Sequence, residues 1–272
     1  MEYDQSSSIP EEILPGTFST LAKVGNTVRR STGPWTPAVH VLLRHLEGVS
    51  FDGAPRVLGI DDRGREVLTY IPGDVPRNAS PEVATDRALV EVGRLLRRYH
   101  DAVSGFSLPP GIGWYGWVDG ESDPGPGGVV CHNDLAPRNT VFREGIPVAF
   151  LDFDLASPGP PAWDVAHLAW QFVPISDDEG CARQGWALPP DRPGRLCILC
   201  DGYELSKEDR RGFPELLSLR METTASGIEV LAAEGVPAHR RWAEEGVPRM
   251  VRADRDWVER HSEILREALL GQ

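Results

Sequence analysis

The segment spanning residues 129–154, VVCHNDLAPRNTVFREGIPVAFLDFD, constrains the fold of this chain more than any other stretch. It contains two apolar runs that are separated by a short turn with a Glu-Gly pair. Two such runs joined by a glycine-containing turn are typical of a β-hairpin. We therefore predict a strand over residues 140–142, a turn over 143–146 and a second strand over 147–151, all preceded by an apolar strand end and a polar loop.

Polar side chains collect at the open end of the predicted hairpin. Asn139 just precedes the first strand and Asp152 just follows the second, so the hairpin is expected to place them opposite each other. An amide oxygen and a carboxylate that converge suit a hard cation such as Mg²⁺. Asp134 lies in the preceding loop and is not needed for the metal, so it is a candidate proton acceptor. Metal ligands and a base for an attacking hydroxyl are the groups that phosphoryl transfer requires.

Three motifs, in this order, resemble those of a known family. The sequence HNDLAPRN over residues 132–139 is similar to the H-x-D-x-x-x-x-N loop of aminoglycoside phosphotransferases, choline kinases and their relatives. The sequence LDFD over residues 151–154 resembles the metal-binding element that follows there, and PAWDVA over residues 161–166 resembles the next helix start. The resemblance covers roughly residues 16–172 and is strongest over residues 129–170.

The resemblance implies an α+β, bilobal protein-kinase-like fold, with a small antiparallel-sheet N-lobe and a mainly helical C-lobe. Residues 1–15 are expected to form a flexible tail and residues 16–73 an N-lobe that covers a nucleotide. Residues 74–272 are expected to form the C-lobe, with the catalytic loop and the helices that bind the acceptor substrate. The Pro-Gly-Asp sequence at residues 72–74 breaks the strand pattern and is the expected hinge.

Local patterns along the chain predict further elements. Two short strands are expected within residues 17–30 around a Gly-Asn turn, and another pair within residues 55–71 around Asp-Asp-Arg-Gly. Thr36 is expected to cap a helix whose first turn contains a proline. Amphipathic helices are predicted to begin at Ser80–Pro81 and to span Asp256–Leu269, because their apolar residues recur at helical spacing.

The resemblance implies Mg²⁺ as cofactor and ATP or GTP as phosphate donor, and it places a lysine or arginine on the third strand to hold the phosphates. The sequence Thr27–Arg30 occupies that place. Arg29 is preferred and Arg30 is the alternative, because a strand presents only one of two neighbouring side chains to a given face. Backbone groups near Thr69 and Ile71 are expected to bind the base.

The resemblance also assigns roles at the catalytic loop. Asp134 would deprotonate the acceptor hydroxyl, and Asn139 and Asp152 would hold the metal. The competing interpretation is that these three residues cap loops, as Asp and Asn often do. His132 and Asp164 are expected to be structural, with Asp164 capping a helix start or bracing the loop.

Two features depart from the family pattern. The helix that normally supplies a glutamate to the basic residue offers Val39 or His40, and the glycine-rich turn is reduced to Pro15–Thr20 with a single glycine. Both favour an alternative function, a catalytically silent kinase-fold protein that binds a small molecule or a nucleotide. The complete set of candidate base and metal ligands favours an enzyme instead. A protein-substrate kinase is disfavoured, because the sequence DFD at residues 152–154 lacks the glycine of D-F-G.

We therefore predict a nucleotide-dependent O-phosphotransferase that acts on a hydroxyl of a small molecule, such as an aminoglycoside or another antibiotic. The segment after the third motif contains acids and aromatic residues that suit an amine-bearing acceptor. These possible acceptor-site residues are Trp170, Asp177, Asp178, Glu179 and Trp186. A solvated acidic loop at residues 177–179 is the competing interpretation. Two roles remain open for Asp154, which is either a second metal contact or a solvated acid.

Composition excludes several classes of partner. The formal net charge of −13 disfavours nucleic acid, because binding phosphates requires a basic surface. The chain contains no run of 18 apolar residues, so no membrane span is expected. The N-terminal residues show no signal-peptide pattern, and four cysteines then suggest reduced thiols in the cytoplasm. The Cys197–Cys200 pair is predicted to be two buried thiols, because no second ligand pair accompanies it.

Overall fold

A computed structural model describes residues 11–14, 21–115 and 127–271 of the chain. The N-terminal part is a five-stranded antiparallel sheet with the strand order β1-β2-β3-β5-β4. Its strands are β1 (Glu12–Leu14), β2 (Leu21–Val24), β3 (Thr27–Arg30), β4 (Val57–Ile60) and β5 (Glu66–Thr69). Residues 12–14 were expected to belong to the flexible tail, but they pair with β2. The single-glycine turn predicted at residues 15–20 lies outside the described residues.

One helix packs against this sheet. Helix α1 (Thr36–Gly48) has Pro37 in its first turn, and its apolar side is fully buried. Thr36 is the first helical residue rather than the cap, and its hydroxyl accepts a hydrogen bond from the Gly33 amide at 2.8 Å. The two predicted strand pairs are present, and the second pair, β4 and β5, has shorter bounds than expected. The antiparallel-sheet N-lobe is thereby confirmed.

The remainder of the chain is mainly helical, as predicted. Its helices are α2 (Asp86–Ala102), α3 (Pro161–Phe172), α4 (Asp178–Arg183), α5 (Arg192–Tyr203), α6 (Lys207–Arg211), α7 (Phe213–Ala233), α8 (Pro237–Glu244), α9 (Val247–Arg260) and α10 (Ser262–Leu270). The predicted helix start at Ser80–Pro81 is wrong. Helix α2 begins later, because the Thr85 hydroxyl caps it by accepting the Ala88 amide hydrogen at 3.1 Å. The helix predicted over Asp256–Leu269 is divided between α9 and α10 at His261.

Two small antiparallel pairs support the catalytic motifs. Strands β6 (Val129–Cys131) and β9 (Ser157–Gly159) form one pair, and β7 (Thr140–Arg143) and β8 (Ile146–Phe150) form the predicted hairpin. The turn between β7 and β8 is Glu144-Gly145, and both residues have positive φ, 52° and 74°. This conformation matches the twist of the flanking strands.

The hairpin contains a bulge that shifts its register by one residue. The bulge lies between Val141 and Phe142. A turn at Glu144-Gly145 alone would place Asn139 opposite Phe150, and the bulge moves the pairing on to Leu151. The Leu151 amide donates to the Asn139 carbonyl at 2.8 Å, and Asp152 is the next residue. The prediction that Asn139 lies opposite Asp152 is corrected by one position. Both residues still lie at the open end of the hairpin.

Residues 72–74, the predicted hinge, lie in close contact with the hairpin. The amide of Asp74 donates to the Phe142 carbonyl at 2.9 Å, and the Phe142 amide donates back at 2.8 Å. Gly73 has a φ of 151°, and a Cβ at this position would collide with the Phe142 carbonyl. Only glycine allows the linker to approach the hairpin this closely. The linker is thus held directly beside the strand that follows Asn139.

A single cluster of buried apolar side chains extends from α1 through α2 to the C-terminal helices. In the described ranges, no helix combines the length and the apolar character that crossing a bilayer would demand. Both members of the cysteine pair lie on α5 as free thiols. Cys200 is buried, and burial raises the pKa of its thiol.

Candidate active site

The catalytic loop connects β6 to a short 3-10 helix, Pro137–Asn139, and Asp164 braces it from below. The carboxylate of Asp164 is fully buried in the first turn of α3, where it accepts the amide hydrogens of His132 at 2.6 Å and Asn133 at 2.9 Å. His100 Nε2 lies 3.1 Å from it. Burial by itself would raise the pKa of Asp164, but the hydrogen bond and charge of His100 hold it below the ordinary value. Of the two expected roles, Asp164 has the loop-bracing one.

His132 lies between the loop and the end of β8. Its Nε2 is 2.9 Å from the Leu151 carbonyl, and its Nδ1 accepts the Asp134 amide hydrogen at 3.3 Å. Burial lowers the pKa of His132, so the ring is neutral near pH 7 and carries its hydrogen on Nε2. His132 therefore links the residue before Asp152 to the backbone of Asp134, as expected for a structural residue.

Asp134 has the environment of a proton acceptor. One carboxylate oxygen accepts from Asn139 Nδ2 at 2.6 Å, and the other accepts from Arg138 Nη2 at 2.5 Å. Burial raises the pKa of Asp134, and the nearby charge of Asp152 adds to this rise while Arg138 opposes it. A raised pKa increases the basicity of the carboxylate, which favours general-base catalysis.

The oxygen atoms of Asn139 and Asp152 fit a hard cation. The Asn139 amide gives its Nδ2 hydrogens to the Asp134 carboxylate and carbonyl, which leaves its Oδ1 to act as an acceptor. Asp152 has a φ of 62°, which is uncommon for a residue other than glycine and typical of functional sites. Within the described residues no three His, Cys, Asp or Glu side chains form a metal cage. A Mg²⁺ ion at this place would thus need further oxygen ligands from phosphate and water, as Mg²⁺ commonly does.

The structure corrects the expected orientation of the two strand arginines. Arg30, rather than Arg29, faces the catalytic loop and donates to Asp152 at 2.7 Å and Asp154 at 2.5 Å. Arg29 lies on the other face of β3 and is 3.7 Å from Asp61. The alternation of side chains along the strand was predicted correctly, but its phase was wrong by one residue.

Asp154 is part of the same cluster. Burial raises the pKa of Asp154 to about 6, against the opposing charge of Arg30. Its carboxylate is directed at the same guanidinium as that of Asp152. Of the two interpretations of Asp154, the structure places it beside the candidate metal ligand and not in a solvated loop.

The expected base-binding segment is partly committed to the sheet. The Thr69 amide donates to the Arg56 carbonyl and the Tyr70 amide donates to the Asn26 carbonyl, each at 2.9 Å. Ile71 follows the last of these bonds, so it remains a predicted backbone contact for a nucleotide base, whereas the amide of Thr69 is already used. Lys23 lies 4.2 Å from the centre of the Tyr70 ring.

Three residues on the C-lobe side of Asp134 form a candidate acceptor region, of which only Trp170 was predicted. His167 is 4% exposed, and its Nε2 lies 3.8 Å from the Asp134 carboxylate. Neither ring nitrogen of His167 has a hydrogen-bond partner among the described residues. Trp170 donates to Asp254 on α9 at 3.1 Å, and burial raises the pKa of Asp254 to about 6. The helical spacing of Asp164, His167 and Trp170 was a usable sequence signal, whereas nothing local indicated Asp254.

The other predicted acceptor residues are occupied elsewhere. Asp177 caps α4 through the Gly180 amide, Asp178 pairs with Arg192 at 2.7 Å, and Glu179 pairs with Arg183 at 3.2 Å. The three acids line a groove of about 590 Å³ between α4, α5, α9 and α10. No residue of the catalytic loop lines that groove.

Trp186 is likewise anchored away from the loop. Its indole donates to the Ala79 carbonyl at 3.0 Å, and the Arg195 guanidinium lies 4.7 Å from its ring centre. The structure therefore brings together Asp134, Asn139, Asp152 and His132, with Trp170 nearby, but it does not bring the acidic segment or Trp186 to them.

Comparisons with known proteins agree with this geometry. The model of the family described as "Phosphotransferase enzyme family" matches residues 114–195. The trifolitoxin immunity protein of Rhizobium leguminosarum bv. trifolii is 32% identical over 259 residues, which cover 93% of this chain and 96% of that protein.

Solved structures show the same fold at low identity. The GDP complex of aminoglycoside 2'-phosphotransferase-IIIa superposes with a TM-score of 0.61 at 15% identity, covering 93% of this chain and 95% of that one. A choline/ethanolamine kinase family protein from Mesorhizobium loti gives 0.50 at 16% identity, covering 98% and 95%. The bilobal kinase-like fold expected from the sequence is confirmed.

Proposed function

Because this chain belongs to the phosphotransferase enzyme family, we propose that it transfers the γ-phosphate of ATP or GTP to a hydroxyl group of a small molecule. The observation that carries the proposal is the contact between Asp134 and Asn139. It places a carboxylate that is 13% exposed and has a raised pKa directly beside a candidate metal ligand. This is the arrangement that phosphoryl transfer needs, since the base and the phosphate-binding ion must act on adjacent atoms.

Each residue has one task in this proposal. Asp134 orients the acceptor hydroxyl and takes its proton. Asn139 and Asp152 would hold Mg²⁺, which would supply positive charge to the phosphates. Arg30 extends from the N-lobe to the same point and contacts the phosphates. An arginine suits this task, because its planar guanidinium stays charged and matches phosphate oxygens in pairs.

We propose that the acceptor lies against His167, Trp170 and Asp254. The two ring nitrogens of His167 have no hydrogen-bond partner among the described residues, which is costly in a buried position. A ligand that displaces the covering side chains and bonds to these nitrogens through a hydroxyl or amine would therefore be favoured. Asp254 beside an indole suits a cationic or amino group. The Rhizobium relative is named an immunity protein against trifolitoxin. We therefore propose a toxic compound as the acceptor, with an aminoglycoside or another amino-alcohol antibiotic as an alternative of the same chemistry.

A second candidate function is protection by binding without turnover. It is supported by Arg30, whose guanidinium donates hydrogen bonds to both Asp152 and Asp154. A protein that never loads a metal could keep this arrangement permanently.

Turnover separates the two functions. The full chain would be incubated with Mg²⁺ and ATP or GTP, together with a panel of amino-alcohol antibiotics and other toxic compounds. Acceptor phosphorylation would be followed by mass spectrometry. The proposal expects phosphorylated acceptor with the wild type and a loss of ~10²–10⁴ in rate for Asp134→Asn, with nucleotide binding retained. Tight binding of a toxin with no phosphorylation, equal in wild type and Asp134→Asn, would instead support the binding function.

A further inference from the structure

A buried glutamate on the sheet contacts the arginine that faces the catalytic loop. Arg30 Nε donates to Glu66 Oε1, and the opposite oxygen of Glu66 lies 2.9 Å from His40 Nε2. The Glu66 side chain is 1% exposed, and Arg30 and His40 are also buried. The three side chains form a continuous chain from α1 through β5 to β3, which we name the Arg30–Glu66–His40 chain.

Strand register places the two charged partners on one face. In the β3–β5 ladder Arg30 pairs directly with Glu66, while Arg29 pairs with Val67. Directly paired residues of antiparallel strands share a face and bring their side chains together. His40 reaches the same point from the first half of α1. The register therefore joins residues 36 positions apart in sequence.

This chain occupies the place of the helix glutamate that the sequence lacks. The acid is on the sheet, and the helix supplies an imidazole that anchors it. We infer that Glu66 is the positioning residue for Arg30 and that His40 fixes Glu66. The N-lobe would then hold Arg30 in place to bind phosphate without a glutamate from helix α1. The inference rests on the proposed phosphotransferase function.

The two edges of the Arg30 guanidinium have different partners. Glu66 binds the Nε edge of Arg30, which leaves Nη1 and Nη2 directed at Asp152 and Asp154. Those two nitrogens are the pair that can bind phosphate oxygens together. Without a fixed partner at Nε, Arg30 would be held by Asp152 and Asp154 alone, and its guanidinium would lose its orientation whenever phosphate replaced them. Glu66 thus holds the Nε edge in place, while Nη1 and Nη2 can change partners from the two carboxylates to phosphate.

Four variants of the full chain test the inference. Glu66→Gln keeps the shape of the side chain and removes its charge. His40→Ala removes the anchor, and His40→Gln keeps an N–H donor that can reach Glu66. Asp61→Asn is the matched control, because Asp61 is the acid beside Arg29 on the opposite face of the sheet. Thermal unfolding shows which variants are folded, and dissociation constants for Mg²⁺-ATP and Mg²⁺-GTP are measured by calorimetric titration, with KM for both substrates where turnover is present.

Loss of a charge-assisted hydrogen bond should weaken nucleotide binding by about tenfold or more in Glu66→Gln, with the acceptor KM unchanged. His40→Ala should show a smaller loss and His40→Gln should recover most of it. Glu66→Gln/His40→Ala should be no weaker than Glu66→Gln alone, because His40 acts through Glu66. Asp61→Asn should bind nucleotide like the wild type.

Several results would overturn the inference. A folded Glu66→Gln with wild-type nucleotide affinity would remove Glu66 from the grip, as would equal losses in both substrates. If Glu66→Gln does not fold, the two His40 variants decide: equal affinity of His40→Ala and His40→Gln to the wild type would refute the chain. If the wild type itself binds neither nucleotide, the proposed function fails and the inference fails with it. If the wild type binds nucleotide and the variants bind it equally well, only the inference fails.

Discussion

Replacing Arg30 with alanine should destabilise the protein far more than replacing its neighbour Arg29. Arg30 is 7% exposed and is bonded to three carboxylates. One of these, Glu66, has a side chain that is only 1% exposed, so it cannot be rehydrated when its partner is removed. Breaking a buried ion pair from one side costs ~3–5 kcal/mol. The other two acids are about one-third exposed and add little, because water screens them.

Arg29→Ala is the matched comparison. The Arg29 side chain is 21% exposed and its nearest acid, Asp61, is 3.7 Å away. Such pairs contribute ~0–1 kcal/mol. For a chain of this size roughly 2 °C of Tm corresponds to 1 kcal/mol, so Arg30→Ala should lower Tm by ~6–10 °C and Arg29→Ala by ~2 °C or less. Differential scanning calorimetry at pH 7 measures both.

Magnesium and pH add two independent checks. In Arg30→Ala the carboxylates of Asp152 and Asp154 are uncovered, so Mg²⁺ without nucleotide should raise Tm more in this variant than in the wild type. The folded pKa of Asp154, about 6, lies above its ordinary value of 3.8. Its ionisation therefore removes stability as pH rises through this window. Loss of Arg30 raises that pKa further, so the Tm deficit of the variant should shrink on acidification. Equal Tm losses in the two arginine variants, or a larger loss in Arg29→Ala, would refute the reasoning.

Three further results are expected. Asn139→Ala and Asp152→Ala should each weaken Mg²⁺-nucleotide binding. Because both side chains would hold one ion, calorimetric titration of the double variant should show a smaller loss of affinity than the sum of the two single losses. Strictly additive losses would contradict a shared metal. The folded pKa of Asp254, about 6 against an ordinary 3.8, means that ionisation of this residue costs stability as pH rises through that range. Urea unfolding of Asp254→Asn should therefore show a gain over the wild type at pH 7 that disappears near pH 4, and a pH-independent difference would exclude this cause. Gly202→Ala should lower the free energy of unfolding by ~1–3 kcal/mol, because the added Cβ would lie 2.5 Å from the Val90 carbonyl oxygen where α5 meets α2. An unchanged urea midpoint would show that the two helices can move apart without cost.

The sequence alone determined the parts of the site that are close together along the chain. The hairpin and its flanking Asn139 and Asp152 were predicted from local apolar runs and a turn. In the structure Asn139 faces Leu151 rather than Asp152, because the turn lies at Glu144-Gly145 and the bulge recovers only one of the two positions of shift that this turn causes. The loop-bracing position of Asp164 was equally accessible, because it directly follows a recognisable helix start. Short-range order of this kind depends on backbone propensity and turn chemistry, which the residues themselves specify.

Tertiary structure decided which side chains meet across elements. The choice between Arg29 and Arg30 depends on a strand register in which a slip of one residue reverses the face of every side chain. The use of Glu66 in place of a helix acid depends on the pairing of β3 with β5. The approach of His167 to Asp134 depends on how α3 packs beneath the loop. Neither the phase of β3 nor its pairing with β5 is encoded in a local pattern.

The predicted acceptor residues also show that adjacency in sequence does not establish a binding site. The acids at residues 177–179 looked like one cation-binding site because they are adjacent in sequence, but each has a separate partner: Asp177 caps α4, Asp178 pairs with Arg192, and Glu179 pairs with Arg183. Asp254, which the sequence did not indicate, lies beside Trp170 because α9 packs near α3. Charge in a sequence specifies only a potential ligand, and the partner that the fold places beside it decides whether that charge remains available.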